Sequence, residues 1–494
     1  MRKVIDAQMA FGRTDISAIR INPKCRDDIS RLMRGLQYIY TQPELRKRVF
    51  AILEGMRPVQ ADGKTKVSAD KGRPGMEHWK ILVLAVIRLG LNADYDRIHN
   101  LANNHLGIRE LLGHGAWGEN TEESYHLQTI KDNLQLFTPE MLDQINQEVV
   151  QAGHVLLKKR PDEVLTGRCD SFVVETSVHY PTDINLLLDA IRKTIETASQ
   201  AAHAQGMTEW RQWRYQKNCV RKAYRILQKM KHSTAQDPEK RAAHEVRTLA
   251  AYTAYLDLAD QQVARAAETA TTLRLMGLSD FAQPIEGYLE HARRQMDQIR
   301  RRVLQGEKIP HGEKVFSIFE PHTEWISKGK AGVPVEFGLR VCIVEDQHRF
   351  ILHHQVMEKQ TDDQVAVPMV RETQTRFRGI YSMSFDKGFH TPDNQIDLRE
   401  MLPMVVLPKK GRRSIDEKAR ESAPEFVQLR HQHSAVESAI NALEQHGLDI
   451  CPDHGISGFK RYVALAVLAR NIHRLGAVLM AQESEQRCIY RESA

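Results

Sequence analysis

Residues 164–183 read VLTGRCDSFVVETSVHYPTD, and this stretch decides how the rest of the chain is interpreted. The part from 164 to 176 is rich in β-branched and aromatic residues, and Tyr180-Pro181 ends it, so it predicts a strand. Side chains alternate between the two faces of a strand, so Asp170, Phe172, Val174 and Thr176 are expected to share one face. Glu175 is then expected on the other face. The stretch therefore predicts a strand that carries one candidate carboxylate, Asp170.

Two further acidic residues lie in distinctive settings. Asp386 follows the apolar segment Ile380–Phe385, within SMSFDKGFHTP (382–392), and Glu437 lies in RHQHSAVESAINALEQHG (430–447). We expect Gly388 to permit a sharp turn after the strand, and we expect Glu437 at the border of the buried stripe of a helix. Two aspartates and a glutamate of this kind form a set of hard oxygen ligands, which can hold two divalent cations around a phosphodiester. This set points to the cutting and joining of DNA.

The segments around these residues indicate an α/β domain that carries an insertion. From 185 to about 304 the pattern is helical, with three or four helices and only two prolines, Pro238 and Pro284. Strands and helices follow after Pro310. The predicted strands are Val315–Phe319, Val335–Val344, Phe350–Val356 and Met404–Leu407, and the predicted helices are Thr361–Phe377, Ser434–Gln445 and 458–480, with a frayed end from 483.

The N-terminal part, residues 1–155, is predicted to be helical. In 72–105 an apolar helix ends at Gly90, and Asn92–Asp94 can cap a second helix whose other face carries Arg97, Asn100, Asn103 and Asn104. This pattern fits a DNA-binding helix-turn-helix and an ordinary αα-hairpin packed in a core about equally well.

Composition limits the class of protein. The chain has 494 residues, of which 41% are hydrophobic and 27% charged, with a net charge of +7, so a soluble protein of two or three domains is expected. The six cysteines form no CxxC pair, which favours a reducing, intracellular setting. We see no signal peptide and no apolar run long enough to cross a membrane. Neither a P-loop nor GxGxxG is present, so a nucleotide cofactor is not expected.

Four blocks of the sequence resemble, in order, bacterial insertion-sequence DDE transposases of the ISNCY group. They are DSFVVETSVHYPTDINLLLDA (170–190), FSIFEPHTEWISKGKAGVPVEFG (316–338), SFDKGFHTP (384–392) and the segment 436–476. The resemblance implies an α/β, RNase H-like catalytic core with a large all-helical insertion and a helical N-terminal DNA-binding region. The implied division is 1–155 for the N-terminal region, 160–184 for the first core strand, 185–308 for the insertion, 309–482 for the remaining core and 483–494 for a tail.

The resemblance also implies an activity. Asp170, Asp386 and Glu437 would be the catalytic and metal-binding triad, with Asp170 bridging two Mg²⁺ ions, for which Mn²⁺ can substitute. The protein would bind the terminal inverted repeats of its own element in double-stranded DNA, as a homodimer, and cleave and join strands in the bacterial cytoplasm at the nucleoid. In one respect the chain departs from the family pattern. An Arg before the Glu and a Lys seven residues after it are replaced by His433 and Glu444, and Arg430 or His431 is a candidate for the missing phosphate contact.

Clusters of basic residues are the predicted DNA contacts, since lysine and arginine neutralise phosphates. The densest lies in 210–232, where cations recur every three or four residues and would form a ridge on one helix. For any single lysine the alternative, ordinary solvated surface, is favoured. The candidates are Arg211, Arg214, Lys217, Arg221, Arg225, Lys328, Lys330, Lys409, Lys410, Arg412, Arg413, Arg430, Lys460 and Arg461.

Three alternatives remain open from the sequence. The chain could be a sequence-specific DNA-binding protein that is catalytically silent, or a structure-specific nuclease on the same fold. The cluster His431, His433, His446, Cys451 and His454 could suggest structural zinc, but its spacing lacks two clean ligand pairs.

Overall fold

The chain divides into two compact units. Unit 1 comprises Met1–Ser177 and Ile326–Ala494, and unit 2 comprises Val178–Trp325. Each unit has its own apolar core. The structure, a computed structural model, describes residues 3–5, 15–56, 75–115, 124–158, 160, 162–230, 236–327 and 335–492, with side chains up to 486.

The first part of unit 1 is helical. Its helices are α1 (Asp28–Thr41), α2 (Pro43–Glu54), α3 (His78–Gly90), α4 (Tyr95–Asn104), α5 (Leu106–Leu111), α6 (Leu127–Leu134) and α7 (Pro139–Leu157).

The helix pair α3–α4 has the predicted caps. Gly90 is the last residue of α3, and the Asp94 carboxylate accepts a hydrogen bond from the Arg97 N–H at 2.7 Å. Every residue of α3 except Lys80 is buried, so this helix lies inside the core of the unit. Only α4 therefore offers an exposed polar face.

A mixed seven-stranded sheet forms the centre of unit 1. Its main path runs β2–β3–β1–β5–β6, while β4 also pairs with β3 and β7 with β1. Strand β1 is antiparallel to β3 and parallel to β5 and β7. The strands are β1 (Leu165–Thr176), β2 (Glu324–Ser327), β3 (Val335–Asp346), β4 (Ile351–Met357), β5 (Ile380–Phe385), β6 (Met404–Val406) and β7 (Ile450–Cys451).

Further helices follow the strands in unit 1. They are α12 (Asp362–Arg376), α13 (Pro392–Met401), α14 (Ile415–Glu421), α15 (Pro424–His433), α16 (Ala435–Leu443) and α17 (Gly455–Glu492). Gly35 and Gly476 let α1 and α17 approach closely, because a Cβ at either position would clash with the backbone of the other helix. Among the described residues, α17 alone is long and apolar enough to cross a membrane, but 83% of its most apolar window is buried. This burial is compatible with a soluble protein.

In its described residues unit 2 is helical apart from connecting segments and the first two residues of β2, Glu324 and Trp325. It contains α8 (Asp183–Ala204), α9 (Trp213–Lys229), α10 (Pro238–Leu275) and α11 (Ser279–Ile299). Trp210, just before α9, is buried and donates its indole N–H to the Thr269 hydroxyl at 2.9 Å. This tryptophan is therefore used in packing.

Several predicted elements need correction. Val315–Phe319 is not a strand, because the Ser317 hydroxyl accepts hydrogen bonds from the backbone N–H groups of Phe319 and Glu320 and bends the chain. Helix α17 continues to Glu492, where a frayed end was predicted from 483. The short strands β2 and β7 were not predicted, because two to four residues carry too little pattern.

Candidate catalytic site

The register of β1 and β5 brings the two aspartates together. In this parallel pair Cys169 stands beside Phe385, which is the last residue of β5. Asp170 is the next residue of β1 and Asp386 is the first residue after β5, so the two lie next to each other where β5 stops. A short helical turn, Lys387–Phe389, begins directly after Asp386.

Asp170 is the carboxylate most affected by its surroundings. The pKa of Asp170 is raised to about 6, chiefly by burial and in smaller part by the negative charges of Asp386, Asp362 and Glu437, while the hydrogen bond from the Ser171 N–H acts in the other direction. That N–H donates to the Asp170 carboxylate at 2.8 Å. Mutual repulsion of this kind arises only between neighbouring charges. The structure thus brings all three predicted acidic residues, and a fourth, into one electrostatic neighbourhood.

Glu437 reaches the site from α16. Val436 is buried in the core, whereas Glu437 is exposed, as expected for a border position. Glu437 and Asp170 line the same cavity of about 440 Å³. Asp386 is not among its lining residues, which are Asp170, Ser171, Phe172, Val173, Ile326, Ser327, Arg340, Glu437, Ile440, Asn441 and Glu444.

Asp362, the fourth acidic residue, was missed in the sequence. It is the first residue of α12, and its carboxylate accepts a hydrogen bond from the Ser171 hydroxyl at 2.6 Å. Thr361 and Gln364 form a capping box at this helix start, so Asp362 looks like an ordinary first-turn acidic residue. The signal available was its place at the start of a helix, shortly after the end of β4.

The glycine after Asp386 has a different role from the predicted one. Gly388 does not adopt a positive φ, so the turn does not need glycine for its backbone angles. A Cβ at this position would lie 3.1 Å from the Asp362 carboxylate. Gly388 therefore allows the turn after β5 to pass close to Asp362.

His433 lies at the position where the resemblance implies an arginine, and it does not take over the charge of an arginine. Its Nδ1 lies 3.0 Å from the Ser384 hydroxyl, and burial lowers its pKa, although the Asp386 charge acts in the other direction. A neutral imidazole has one N–H donor and no charge, so it lacks the two-donor, permanently charged contact that an arginine makes with a phosphate. His446, from the same histidine-rich segment, bonds through Nδ1 to the Gly90 carbonyl at 2.6 Å.

The donor atoms suit the metal that the resemblance implies, but they do not converge on one point. Carboxylate oxygens are the ligands that Mg²⁺ and Mn²⁺ prefer. Among the described residues, no three His, Cys, Asp or Glu side chains lie close enough to hold one ion. The donor chemistry of Asp170, Asp386 and Glu437 fits such a metal, so these three residues would hold it, and it would supply charge neutralisation at a phosphate.

The basic ridge of unit 2 lies on the exposed side of α9. Arg214, Arg221 and Arg225 are exposed there, and Arg211 is exposed in the turn before the helix. Lys217 differs, because it donates to Glu196 at 3.1 Å and its ammonium lies 4.7 Å from the Trp213 ring centre. Four of the five predicted ridge cations are thus exposed, although the Arg214 guanidinium lies 5.2 Å from the Trp213 ring centre.

The predicted cations of unit 1 are more often paired. Lys409 bonds to Glu417 at 2.7 Å, Arg413 to Glu421 at 3.0 Å, Lys460 to Glu358 at 2.5 Å and Arg461 to Asp453 at 3.2 Å. The exposed members that no ion pair above involves are Lys410, Arg412 and Arg430, and Arg413 is exposed as well as paired. Lys328 and Lys330 lie outside the described residues.

Comparison with known proteins identified no relative of this chain. No protein-family model matches the chain, and no curated protein and no solved structure matches it significantly.

Proposed function

We propose that the chain is a DNA transposase, which binds the terminal inverted repeats of its insertion sequence and carries out metal-dependent cleavage and strand transfer. The observation that carries the proposal is the pairing of β1 with β5, which sets Asp170 beside Asp386 within the electrostatic reach of Glu437. Acidic residues that repel each other are costly to hold together, so such a group is a candidate for function.

The strand order supports an RNase H-like core for this proposal. The five principal strands are ordered β4–β3–β1–β5–β6. Strand β3 runs in the opposite direction to the other four. The first carboxylate lies on the central strand β1 and the second at the end of the adjacent parallel strand. Open α/β sheets bind ligands at such strand ends.

The residues of the chain would divide the work as follows. Asp170, Asp386 and Glu437 would hold two Mg²⁺ ions, which supply charge neutralisation for an attacking and a leaving oxygen when bound. Ser171 orients Asp170 through its backbone N–H. Water would cleave the phosphodiester and leave a 3′-hydroxyl; this hydroxyl would then attack a target phosphodiester and displace the 3′-oxygen of the target strand, so no side chain needs to act as a nucleophile. The scaffold positions the DNA strand against the acidic residues.

The proposal is tested with the full chain and duplex DNA that carries the sequences flanking its coding region. With Mg²⁺ we expect cleavage at the repeat ends and joining of the 3′-ends to a second duplex, and we expect Glu437→Gln to bind the same DNA without cutting it. Cleavage without joining would favour the structure-specific nuclease, and binding without either reaction would favour the silent DNA-binding protein. Cytoplasmic location at the nucleoid and a dimer on DNA belong to the same proposal.

A further inference from the structure

We propose that Arg340 is the phosphate-binding residue of the catalytic cavity and takes the place of the lysine that the family pattern puts on the glutamate helix. This inference rests on the proposed function. It concerns the group that holds the DNA strand against the carboxylates, and not the carboxylates themselves.

The first argument is position. Arg340 lies on β3 directly opposite Val173 of β1, and it lines the cavity of about 440 Å³ together with Asp170 and Glu437. Its strand is paired on both sides at this point, since Arg340 also stands opposite Met357 of β4. Because β3 is paired on both sides there, the backbone of Arg340 is held in a fixed position.

The second argument is that its charge is unused. In the part of the chain that the structure describes, the Arg340 guanidinium makes no hydrogen bond and no ion pair. Arg168, on the neighbouring strand β1, lies 3.3 Å from Glu345 and donates to the Asp346 carbonyl at 2.9 Å. One arginine of the sheet is thus neutralised within the protein, whereas the other is left available beside the candidate site.

The third argument is the charge of the cavity. Asp170, Glu437 and Glu444 are acidic, and Arg340 is the basic residue among the described residues that line it. Glu444 stands where the family pattern has a lysine, so the positive charge of the cavity comes from the strand β3 and not from this helix. A guanidinium binds a phosphate with two parallel hydrogen bonds, which suits a phosphodiester held near carboxylates. Asn441 and Ser327 also line the cavity and offer neutral donors.

The test compares Arg340→Ala and Arg340→Lys with Arg371→Ala in the full chain. Arg371 is exposed on α12 and is not among the cavity residues. Arg371→Ala therefore removes one positive charge, as Arg340→Ala does, but not from the cavity. The probe is the flanking-sequence duplex. Its affinity is measured over a range of salt concentrations, and its cleavage with Mg²⁺ is measured separately. Thermal unfolding of each variant checks that it folds.

We expect Arg340→Ala to lower the slope of log affinity against log salt by about 0.9, the value for one lost phosphate contact. Cleavage of bound DNA should fall about 10- to 100-fold, as expected for the loss of a charge-assisted hydrogen bond. Arg340→Lys should restore the slope but only part of the rate, because lysine lacks the planar fork. Arg371→Ala should change neither quantity.

The failure of this inference differs from the failure of the proposed function. If the wild type cuts DNA and Arg340→Ala matches it in slope and rate, Arg340 is not the phosphate ligand. If the wild type binds but does not cut, while the slope still falls in Arg340→Ala, the proposed function fails and the phosphate contact stands. A wild type that does not bind the duplex overturns both.

Discussion

The two units of the molecule use charged side chains in opposite ways. In unit 1 the acidic residues Asp170 and Asp386 are held by the register of adjacent strands, and burial perturbs the first of them. In unit 2 the notable charges are the exposed arginines of α9, on a helix whose other side packs into a separate core. A charge fixed by a sheet suits chemistry, which needs exact placement, and charges spread along a helix suit contact with a regular anionic surface.

The largest expected effect removes a fixed charge from unit 1. If the proposed function holds, Asp170→Asn should reduce strand cleavage more than about 1,000-fold, because a carboxylate that would hold the metal is lost. The same change should leave the thermal midpoint at pH 7 unchanged or higher. The pKa of Asp170 is raised in the folded protein, so its ionised form opposes folding once the pH exceeds that pKa.

This pair of outcomes separates function from folding. Cleavage assays and thermal unfolding are measured on the same preparation, and Asp386→Asn and Glu437→Gln should lose cleavage to a similar degree. Normal cleavage by any of the three variants would rule out the triad.

The next effect concerns the acidic residue that the sequence did not reveal. Asp362→Asn should slow cleavage about 10- to 100-fold, because it removes a negative charge near Asp170 and weakens the hydrogen bond from the Ser171 hydroxyl. Asp363→Asn is the matched control, since it makes the same change one residue later on α12. Equal rates in the two variants would mean that Asp362 only starts the helix.

The sequence predicted much of unit 1 because strong local patterns coincide there with the tertiary structure. Ile380–Phe385 is a strand with the predicted ends, and the predicted strand at 164–176 is β1, Leu165–Thr176. Asp362 and Arg340 were not identified, because their significance lies in neighbours that are distant in the chain. Strand register decides both, and one sequence does not determine how β1, β3 and β5 align. The local hydrogen bonds of Ser317, similarly, prevented a predicted strand at Val315–Phe319.

A smaller effect is expected from the exposed charges of unit 2. The double change Arg221→Ala and Arg225→Ala should lower the salt slope of DNA affinity by about 1.8, if each arginine contacts one phosphate. The double change Arg247→Ala and Arg293→Ala removes two exposed arginines from α10 and α11 and should have little effect. Equal slopes in the two double variants would identify the ridge of α9 as ordinary solvated surface.

The smallest expected effect contrasts a buried carboxylate of unit 1 with an exposed one of unit 2. The pKa of Glu345 is raised to about 7, chiefly by burial and in smaller part by the charge of Asp346. Arg168, which lies 3.3 Å away, acts in the other direction, as do Arg470 and Arg349.

Because the folded protein holds this proton more tightly than the unfolded chain, the contribution of Glu345 to stability is lost as the pH rises through about 7. In Glu345→Gln the fall in thermal midpoint between about pH 5 and about pH 8 should be smaller by a few degrees. Glu307 is the control, since its hydrogen bond to Arg301 lowers its pKa, and stability from a lowered carboxylate pKa is lost only at more acidic pH. Glu307→Gln should therefore leave the same pH difference unchanged. If Glu345→Gln and Glu307→Gln change the pH dependence of the thermal midpoint equally, burial of Glu345 in the sheet does not affect how stability depends on pH.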